Sequence, residues 1–134
     1  MKLLSFQAEY FSWEPFSQTI EDADDGVAGV ENDVAVFWLH IEKKDAFNHS
    51  RTLKYACKHI KWVANKRKLQ NIVLHSFSHL GGDTAEATYA RTVLRDISMK
   101  LKDKYNVQTT PFGWFCSWNI KVYGDSMAKV FKEF

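Results

Sequence analysis

Cysteine is scarce in this chain, whose 134 residues contain only Cys57 and Cys116. Two thiols exclude a disulfide-stabilised scaffold and a zinc site built from four cysteines. No apolar run approaches the roughly 20 residues of a membrane-spanning helix. Gln7 and Glu9 interrupt the N-terminal segment before the apolar core of a signal peptide could form. These absences predict a reduced, soluble, cytoplasmic protein that does not enter a membrane.

Charged residues are unevenly distributed along the chain, although the net charge is only +2. Residues 1–33 hold eight acidic side chains and one lysine, whereas the remaining 101 residues hold 17 basic and eight acidic ones, a local net charge of +9. A body of that charge suits a polyanionic partner such as a nucleic acid. A solvated basic surface would give the same composition, so both interpretations stay open.

The pattern of apolar residues predicts the order β-β-α-β-α-β-β-α in one domain over residues 1–134. The expected elements are strands over 2–12, 33–43 and 71–77, an acidic loop over 14–33, helices capped at Ser50 and Asp83, two strands around a turn at 111–113, and a C-terminal helix over 125–134. The inner stripe of the first helix would be Leu53, Cys57, Ile60 and Ala64. This order predicts a compact α/β domain with a mixed β-sheet and packed helices.

The stretch HSFSHLGGDT, residues 75–84, follows the third strand, at the end where ligands bind in open α/β sheets. His79 lies just beyond the strand, and Gly81-Gly82 would let the backbone approach a ligand closely. The start of the next helix, near Thr84, would offer free N–H groups to a carboxylate or a phosphate. A polar turn with a partly exposed His79 explains the same residues, and His75 is expected to be packed inside the sheet.

Two other enzyme patterns fit this loop less well. Ser76 and Ser78 lack the glycines, two residues to either side, that mark a nucleophile elbow. His75, His79 and Asp83 have an i, i+4, i+8 spacing that could hold a metal on one helix, but the glycines between them break such a helix. Neither a serine hydrolase nor a metal site is therefore favoured.

Basic and aromatic residues concentrate in two further places. The basic stripe of the first helix could contact phosphates, or it could be a solvated helix face; its members are Arg51, Lys54, Lys58 and Lys61. Residues 112–118 gather aromatic side chains around a tight turn, where they could form core or stack on a nucleobase.

Several motifs, in their order along the chain, resemble a known family. The stretch VLHSFSHLGGDTAEATYARTVLRDISMKLK is followed by PFGWF and NIKVYG, and the N-terminal MKLLSFQAEYFSWE and VAVFWLHIEKKD look like the family's first two strands. Together they resemble, over essentially the whole chain, the N-terminal editing domain of archaeal-type threonyl-tRNA synthetases. That family has an F-A-H-L-like tetrad, a long helix and a P-F-G-aromatic-aromatic-lysine strand in the same order.

The resemblance implies a fold similar to D-aminoacyl-tRNA deacylase and a homodimer. It implies an aminoacyl-tRNA deacylase that proofreads for protein biosynthesis by hydrolysing the ester of seryl-tRNA(Thr). The 2′-hydroxyl of the terminal adenosine would assist an attacking water, with no metal and no other cofactor. The implied partners are the aminoacylated 3′ end of tRNA, a second copy of the chain and a threonyl-tRNA synthetase.

The resemblance also assigns site residues. His79 matches the family's pocket-wall histidine, Cys116 stands where the family has a functional lysine, and Lys129, in the expected C-terminal helix, stands where it has a glutamate. The catalytic candidates are thus His79, Cys116 and Lys129, and the substrate-binding candidates are Phe77, Ser78, Trp114 and Phe115.

The two departures leave several interpretations open. Lys129 could reach into the cleft and supply the missing charge, or the domain could prefer a different amino acid. It could also be a non-catalytic module that keeps the fold and binds aminoacyl-tRNA or a synthetase. A D-aminoacyl-tRNA deacylase would share the fold, but the Gly-Pro motif of that family is absent. The chain carries no synthetase catalytic motif, so a freestanding protein and an excised domain both fit.

Overall fold

The computed structural model describes residues 1–134 and contains six strands and two α-helices. The strands are β1 (Lys2–Gln18), β2 (Gly29–His40), β3 (Asn71–Ser76), β4 (Asn106–Thr109), β5 (Trp114–Val122) and β6 (Lys129–Glu133). The helices are α1 (His49–Lys66) and α2 (Ala87–Leu101), with 3₁₀ turns at Lys43–Asn48 and Ser126–Ala128. Neither α-helix is long and apolar enough to cross a membrane.

The strands form one mixed sheet in the order β4-β3-β2-β1-β5, and β6 also pairs with β1. β1 runs antiparallel to β2, β5 and β6, whereas β2, β3 and β4 run parallel to one another. Along its second edge β1 pairs with β6 over Lys2–Phe6 and with β5 over Ala8–Gln18. The predicted α/β class, with a mixed sheet and packed helices, is confirmed.

The sheet curls strongly enough for strands that are not neighbours to touch. The rings of Trp118 on β5 and His75 on β3 lie 5.1 Å apart, although β1 and β2 stand between those strands. Since adjacent strands are spaced about 4.8 Å apart, a flat sheet would separate β3 from β5 by roughly 14 Å. Trp38 of β2 fills the space inside the curl, 5.2 Å from the Trp118 ring.

The larger hydrophobic core lies between the sheet and both α-helices. The predicted stripe of α1 is buried there, because Leu53, Cys57, Ile60 and Ala64 return to one side at helical spacing. A smaller core contains Phe11 and residues of β2 and β3 but no helix residue. The sheet is therefore covered by helices on one face only.

Buried charges join the start of β1 to the segment after β2. The α-ammonium group of Met1 donates to Glu42 at 2.6 Å and to Asp45 at 3.0 Å, and the Lys2 ammonium donates to Glu42 at 2.7 Å. Burial alone would raise the pKa of Glu42, but the hydrogen bonds from Lys2 and from the α-ammonium group lower that pKa to about 2. Glu42 is thus a carboxylate at neutral pH and holds both cations.

Two helix predictions are corrected by the structure. The expected C-terminal helix is instead a short 3₁₀ turn followed by β6, because Lys129–Glu133 completes the open edge of β1. α1 is capped by Asn48 and not by Ser50, since the Asn48 side chain accepts the Arg51 N–H at 3.1 Å.

The start of α2 also differs from the prediction. α2 begins at Ala87 and not near Thr84, and Asp83 does not cap it. The Asp83 carboxylate instead accepts the Lys43 N–H at 3.2 Å, and its backbone carbonyl faces His40. Both acceptors of Asp83 are therefore used by the segment around the end of β2.

The acidic segment and the segment 106–122 are also placed by pairing with distant strands. β1 and β2 extend as a hairpin into 14–33, so that only residues 19–28 connect them. The two strands predicted around the turn at 111–113 are present as β4 and β5, and they lie at opposite edges of the sheet.

Candidate active site

A cavity of about 360 Å³ opens where the loop after β3 meets the start of α2 and the turn that leads into β5. Six of the seven predicted site residues line it: Phe77, Ser78, His79, Trp114, Phe115 and Cys116. Two segments separated by more than 30 residues of sequence therefore line one cavity.

His79 stands on the cavity wall with an exposed ring. The ring contacts Phe77 edge to face at 5.2 Å, and no protein group hydrogen-bonds either ring nitrogen. Phe77 in turn packs on Trp118 at 5.7 Å. His79 is therefore held by an aromatic contact while both of its nitrogens remain available to a ligand.

His75 has a structural role, as the sequence predicts. It is buried between Trp38 and Trp118, and its Nδ1 lies 2.6 Å from the hydroxyl oxygen of Thr110. Burial lowers the pKa of His75 to about 4, so the ring is neutral at pH 7. Its hydrogen bond ties the end of β3 to the segment after β4.

His40 shapes the glycine loop, and the sequence reasoning missed it. The ring is fully buried at the end of β2; its Nδ1 accepts the Leu80 N–H at 3.0 Å, and its Nε2 lies 2.5 Å from the Asp83 carbonyl oxygen. Because Nδ1 accepts, Nε2 is the donor, and the ring holds both sides of Gly81-Gly82. A Cβ on Gly82 would meet no atom within 4 Å, so this glycine borders open space.

The turn before β5 requires glycine at position 113. Gly113 has a φ of +86°, and a Cβ there would lie 2.6 Å from Cγ1 of Ile20 and 2.8 Å from Cβ of Ala23. Thr19 donates to the Gly113 carbonyl through both its N–H and its hydroxyl, at 2.7 and 2.9 Å. The turn is therefore packed against the connection between β1 and β2.

Asp24 fastens the acidic connection, residues 19–28, to the same turn. Its N–H donates to the Phe112 carbonyl at 2.9 Å, and its carboxylate accepts the Phe112 N–H at 2.9 Å. Its carbonyl accepts the indole N–H of Trp114 at 2.7 Å. Arg91 of α2 binds Asp22 and lies 4.8 Å from the centre of the Phe112 ring. The acidic segment thus flanks the cavity and reaches α2.

Cys116 lies on the cavity wall as a neutral thiol. Burial raises the pKa of Cys116, so the sulfur stays protonated at neutral pH. Phe115 also lines the cavity, and opposite this step of β5 the strand β1 carries one extra residue, Phe16, between the partners of Cys116 and Phe115. Cys116 therefore supplies neither a positive charge nor a thiolate.

Lys129 lies outside the cavity. It is the first residue of β6, where it pairs with Phe6, and its ammonium donates to the carbonyl oxygens of Gly124 at 3.2 Å and Asp125 at 3.5 Å. It is not part of the cavity wall. The expectation that Lys129 brings its charge into the cleft is therefore corrected, because the segment is a strand on β1 and not a helix.

The cavity wall contains no Lys, Arg, Asp or Glu side chain. Its polar groups include the His75 and His79 rings, the Cys116 thiol, backbone groups, and the hydroxyls of Thr19, Ser76, Ser78, Thr84 and Thr110. His75, His79 and Asp83 do not converge, and no group of three or more His, Cys, Asp and Glu side chains is placed to hold a metal ion. The first turn of α2, which starts on the cavity wall at Ala87, has backbone N–H groups without helical partners.

Asp24→Ala tests the attachment of the acidic connection. We expect the free energy of unfolding to fall by about 1 kcal/mol, because the Phe112 N–H loses a charged acceptor that is partly exposed to solvent. Asp25→Ala is the matched control, since the Asp25 side chain is exposed and makes no hydrogen bond or ion pair. Urea unfolding of both variants measures the difference, and equal losses would contradict the role of Asp24.

Comparison with known proteins covers the whole chain. A sequence model of the archaea-specific editing domain of threonyl-tRNA synthetase matches residues 1–134. The threonine–tRNA ligase of Methanocaldococcus jannaschii is 30% identical over 135 residues, which are 99% of this chain and 22% of that protein. That of Pyrobaculum aerophilum is 29% identical over 136 residues, with 100% and 22% covered. The chain thus spans about a fifth of the length of these curated relatives.

The fold also matches a solved structure. The c-Myc DNA unwinding element binding protein is similar with a TM-score of 0.70 at 14% sequence identity, over 100% of this chain and 99% of that one. That likeness concerns the fold alone. The full-length sequence match carries the assignment: the chain belongs to the family of archaea-specific editing domains of threonyl-tRNA synthetase.

Proposed function

We propose that this domain hydrolyses the ester of seryl-tRNA(Thr), with the 2′-hydroxyl of the terminal adenosine assisting the attacking water. Membership of the editing family supports the editing of aminoacyl-tRNA. The observation that carries the finer proposal is the cavity wall, which brings His79 together with the PFGWF segment and contains no carboxylate, ammonium or guanidinium group.

The neutral wall suits a reaction in which the substrate supplies its own reactive hydroxyl. The water oxygen adds to the ester carbonyl carbon, the bond from that carbon to the ribose oxygen breaks, and the ribose oxygen takes a proton. Serine and tRNA with a free terminal ribose are the products. Cys116 does not compete as a nucleophile, because burial raises its pKa and keeps the thiol protonated.

Protein groups then position the ester and stabilise developing charge. His79 has two free ring nitrogens on the cavity wall and is placed to orient the water or the ribose hydroxyl. The unpaired N–H groups at the start of α2 are suited to the negative charge that develops on the carbonyl oxygen. The side chains of Ala87 and Ala90 on the same wall are small and leave room for a substrate beside this turn.

The first test compares two substrates. We expect seryl-tRNA(Thr) to lose its amino acid at least about 10-fold faster than threonyl-tRNA(Thr), because one methyl group in a close-fitting pocket is worth that much. Loss of labelled amino acid at micromolar protein measures both rates. A terminal 2′-deoxyadenosine should abolish turnover, and an undiminished rate would contradict the participation of that hydroxyl. Faster loss of another aminoacyl ester would reassign the substrate.

His79→Ala is expected to lower kcat for seryl-tRNA(Thr) by about 100-fold, the usual size of such a contribution. The free energy of unfolding should change by less than about 0.5 kcal/mol, since the ring is exposed and has no hydrogen bond. His49→Ala is the control, because His49 lies outside the cavity and binds Tyr89 and Asp96. The His49→Ala control should lower the free energy of unfolding and leave kcat unchanged. If His79→Ala instead leaves kcat unchanged, His79 has no part in the mechanism.

A second candidate function is a non-catalytic module that binds aminoacyl-tRNA or a synthetase. The neutral thiol of Cys116, where the related domains have lysine, favours it, because no ammonium group replaces that lysine on the wall. The substrate comparison separates the two functions: salt-dependent binding of seryl-tRNA(Thr) without ester loss would identify the module.

We propose a homodimer as the assembly. The sheet face that carries no helix bears exposed aromatic side chains: 42% of Trp118 and 53% of Phe131 are exposed to solvent. A second copy would cover such rings. Sedimentation equilibrium at micromolar concentration should give twice the mass of 15.6 kDa. Phe131→Glu should shift the protein to the monomer, and a wild-type monomer at every concentration would contradict the dimer.

A further inference from the structure

A second groove, of about 620 Å³, runs along the outer side of α1 beside β6. It shares no lining residue with the active-site cavity. The groove is formed by α1, the 3₁₀ turn before it and the last residues of the chain. Nothing in the proposed deacylation uses this surface.

The groove carries positive charge that the protein does not neutralise. α1 contains five lysine and arginine residues and no aspartate or glutamate. Arg51 and Lys58 from α1 and Lys132 from β6 line the groove, and none of the three forms an ion pair with a carboxylate. Two acidic residues share this wall: Asp45 is bound to the α-ammonium group of Met1 at 3.0 Å, and the Glu133 carboxylate lies 3.8 Å from the Lys2 ammonium group. The groove therefore attracts an anion.

Aromatic rings stand between these cations. Tyr55 and Trp62 line the groove with 40% and 44% of their surface exposed. The Arg51 guanidinium lies 5.2 Å from the centre of the Tyr55 ring. The centre of the Phe134 ring lies 5.8 Å from the centre of the same Tyr55 ring. Alternating cations and open rings are the combination that binds nucleic-acid phosphates together with their bases or riboses.

His59 adds a polar atom without a partner. Its ring is stacked near Trp62 at 5.9 Å, only 9% of the residue is exposed, and its Nε2 has no hydrogen-bond partner. Burial, together with the nearby Lys132, lowers the pKa of His59, so this nitrogen belongs to a neutral ring at pH 7.

We propose that this groove, defined by Arg51, Lys58, Lys132, Tyr55 and Trp62, is a second RNA-binding surface. The three cations bind backbone phosphates, and the two rings contact a ribose or a base. If the proposed deacylation is correct, the groove holds a part of the tRNA away from the ester, and only this last step rests on the proposed function.

The experiment measures binding of uncharged tRNA(Thr), which requires no ester hydrolysis. The triple variant Arg51→Gln, Lys58→Gln, Lys132→Gln should raise Kd about 30-fold at low salt and reduce the salt slope of binding by about 2 to 3, because three phosphate contacts are lost. Fluorescence anisotropy of labelled tRNA over a series of salt concentrations gives both quantities.

A matched variant removes the same charge elsewhere. Lys100, Lys102 and Lys104, at the end of α2 and just after it, are exposed, form no ion pair and line neither cavity. Their triple replacement by glutamine should change Kd by less than about 3-fold. Equal weakening in the two triple variants would overturn the proposal, since it would show attraction to net charge alone.

A single variant tests the rings. Trp62→Leu should weaken binding about 5-fold without changing the salt slope, because stacking releases no counterions. Circular dichroism melting confirms that each variant is folded.

The single-turnover rate at saturating seryl-tRNA should be unchanged in the triple variant Arg51→Gln, Lys58→Gln, Lys132→Gln. If the groove substitutions weaken tRNA binding but the wild-type protein hydrolyses no ester, the RNA-binding surface is supported and the proposed deacylation is contradicted. If the wild-type protein hydrolyses the ester but the groove substitutions leave Kd unchanged, the deacylation is supported and the RNA-binding surface is contradicted.

Discussion

The contact of Trp118 with His75 and Trp38 closes the sheet on itself, and the candidate active site depends on that closure. Parallel strands β3 and β4 end on the same side of the sheet, and the chain leaves β4 directly for β5. β5 pairs only with β1, two strands away from β3. Only a strongly curled sheet can bring the first residues of β5 to the loop after β3. The rings inside the curl, 5.1 and 5.2 Å from Trp118, therefore hold the two halves of the cavity together.

Both halves are also fixed by polar contacts that lie on the cavity wall or just behind it. His40 holds the glycine loop from below, and Asp24 and Thr19 hold the turn that carries Gly113. These contacts come from β2 and from the connection between β1 and β2, which supply few of the lining side chains themselves. A cavity wall whose polar groups are mostly backbone amides, hydroxyls and imidazole rings needs such support, because what it can bind depends on how these groups are positioned and not on strong local charge.

Local patterns predicted the parts of the structure that are decided locally. The helical stripe of α1, the apolar strand β3 and the FSHL segment were readable, since each depends on spacing within a short stretch. The predicted start of α2 is wrong because the carboxylate and the backbone carbonyl of Asp83 both bind distant groups, and a capping pattern in the sequence cannot show that. The predicted C-terminal helix is wrong for the same kind of reason: the pattern of apolar residues predicts a helix, but these residues pair with the open edge of β1 and form the strand β6. His40 carried one weak signal, a histidine at the end of an apolar strand.

The charged side chains of this domain lie outside the cavity wall. A cavity wall without lysine or arginine gains nothing from the phosphates of a tRNA, and a strongly cationic wall would also bind the charged ends of free amino acids. The 101 residues after Asp33 nevertheless carry a net charge of +9. Electrostatic attraction to a polyanion must then act through surfaces outside the cavity, and the groove along α1 is one of them. The proposed function and the proposed RNA surface therefore assign the rate of ester hydrolysis and the salt dependence of tRNA binding to different residues, so that each could be changed without the other.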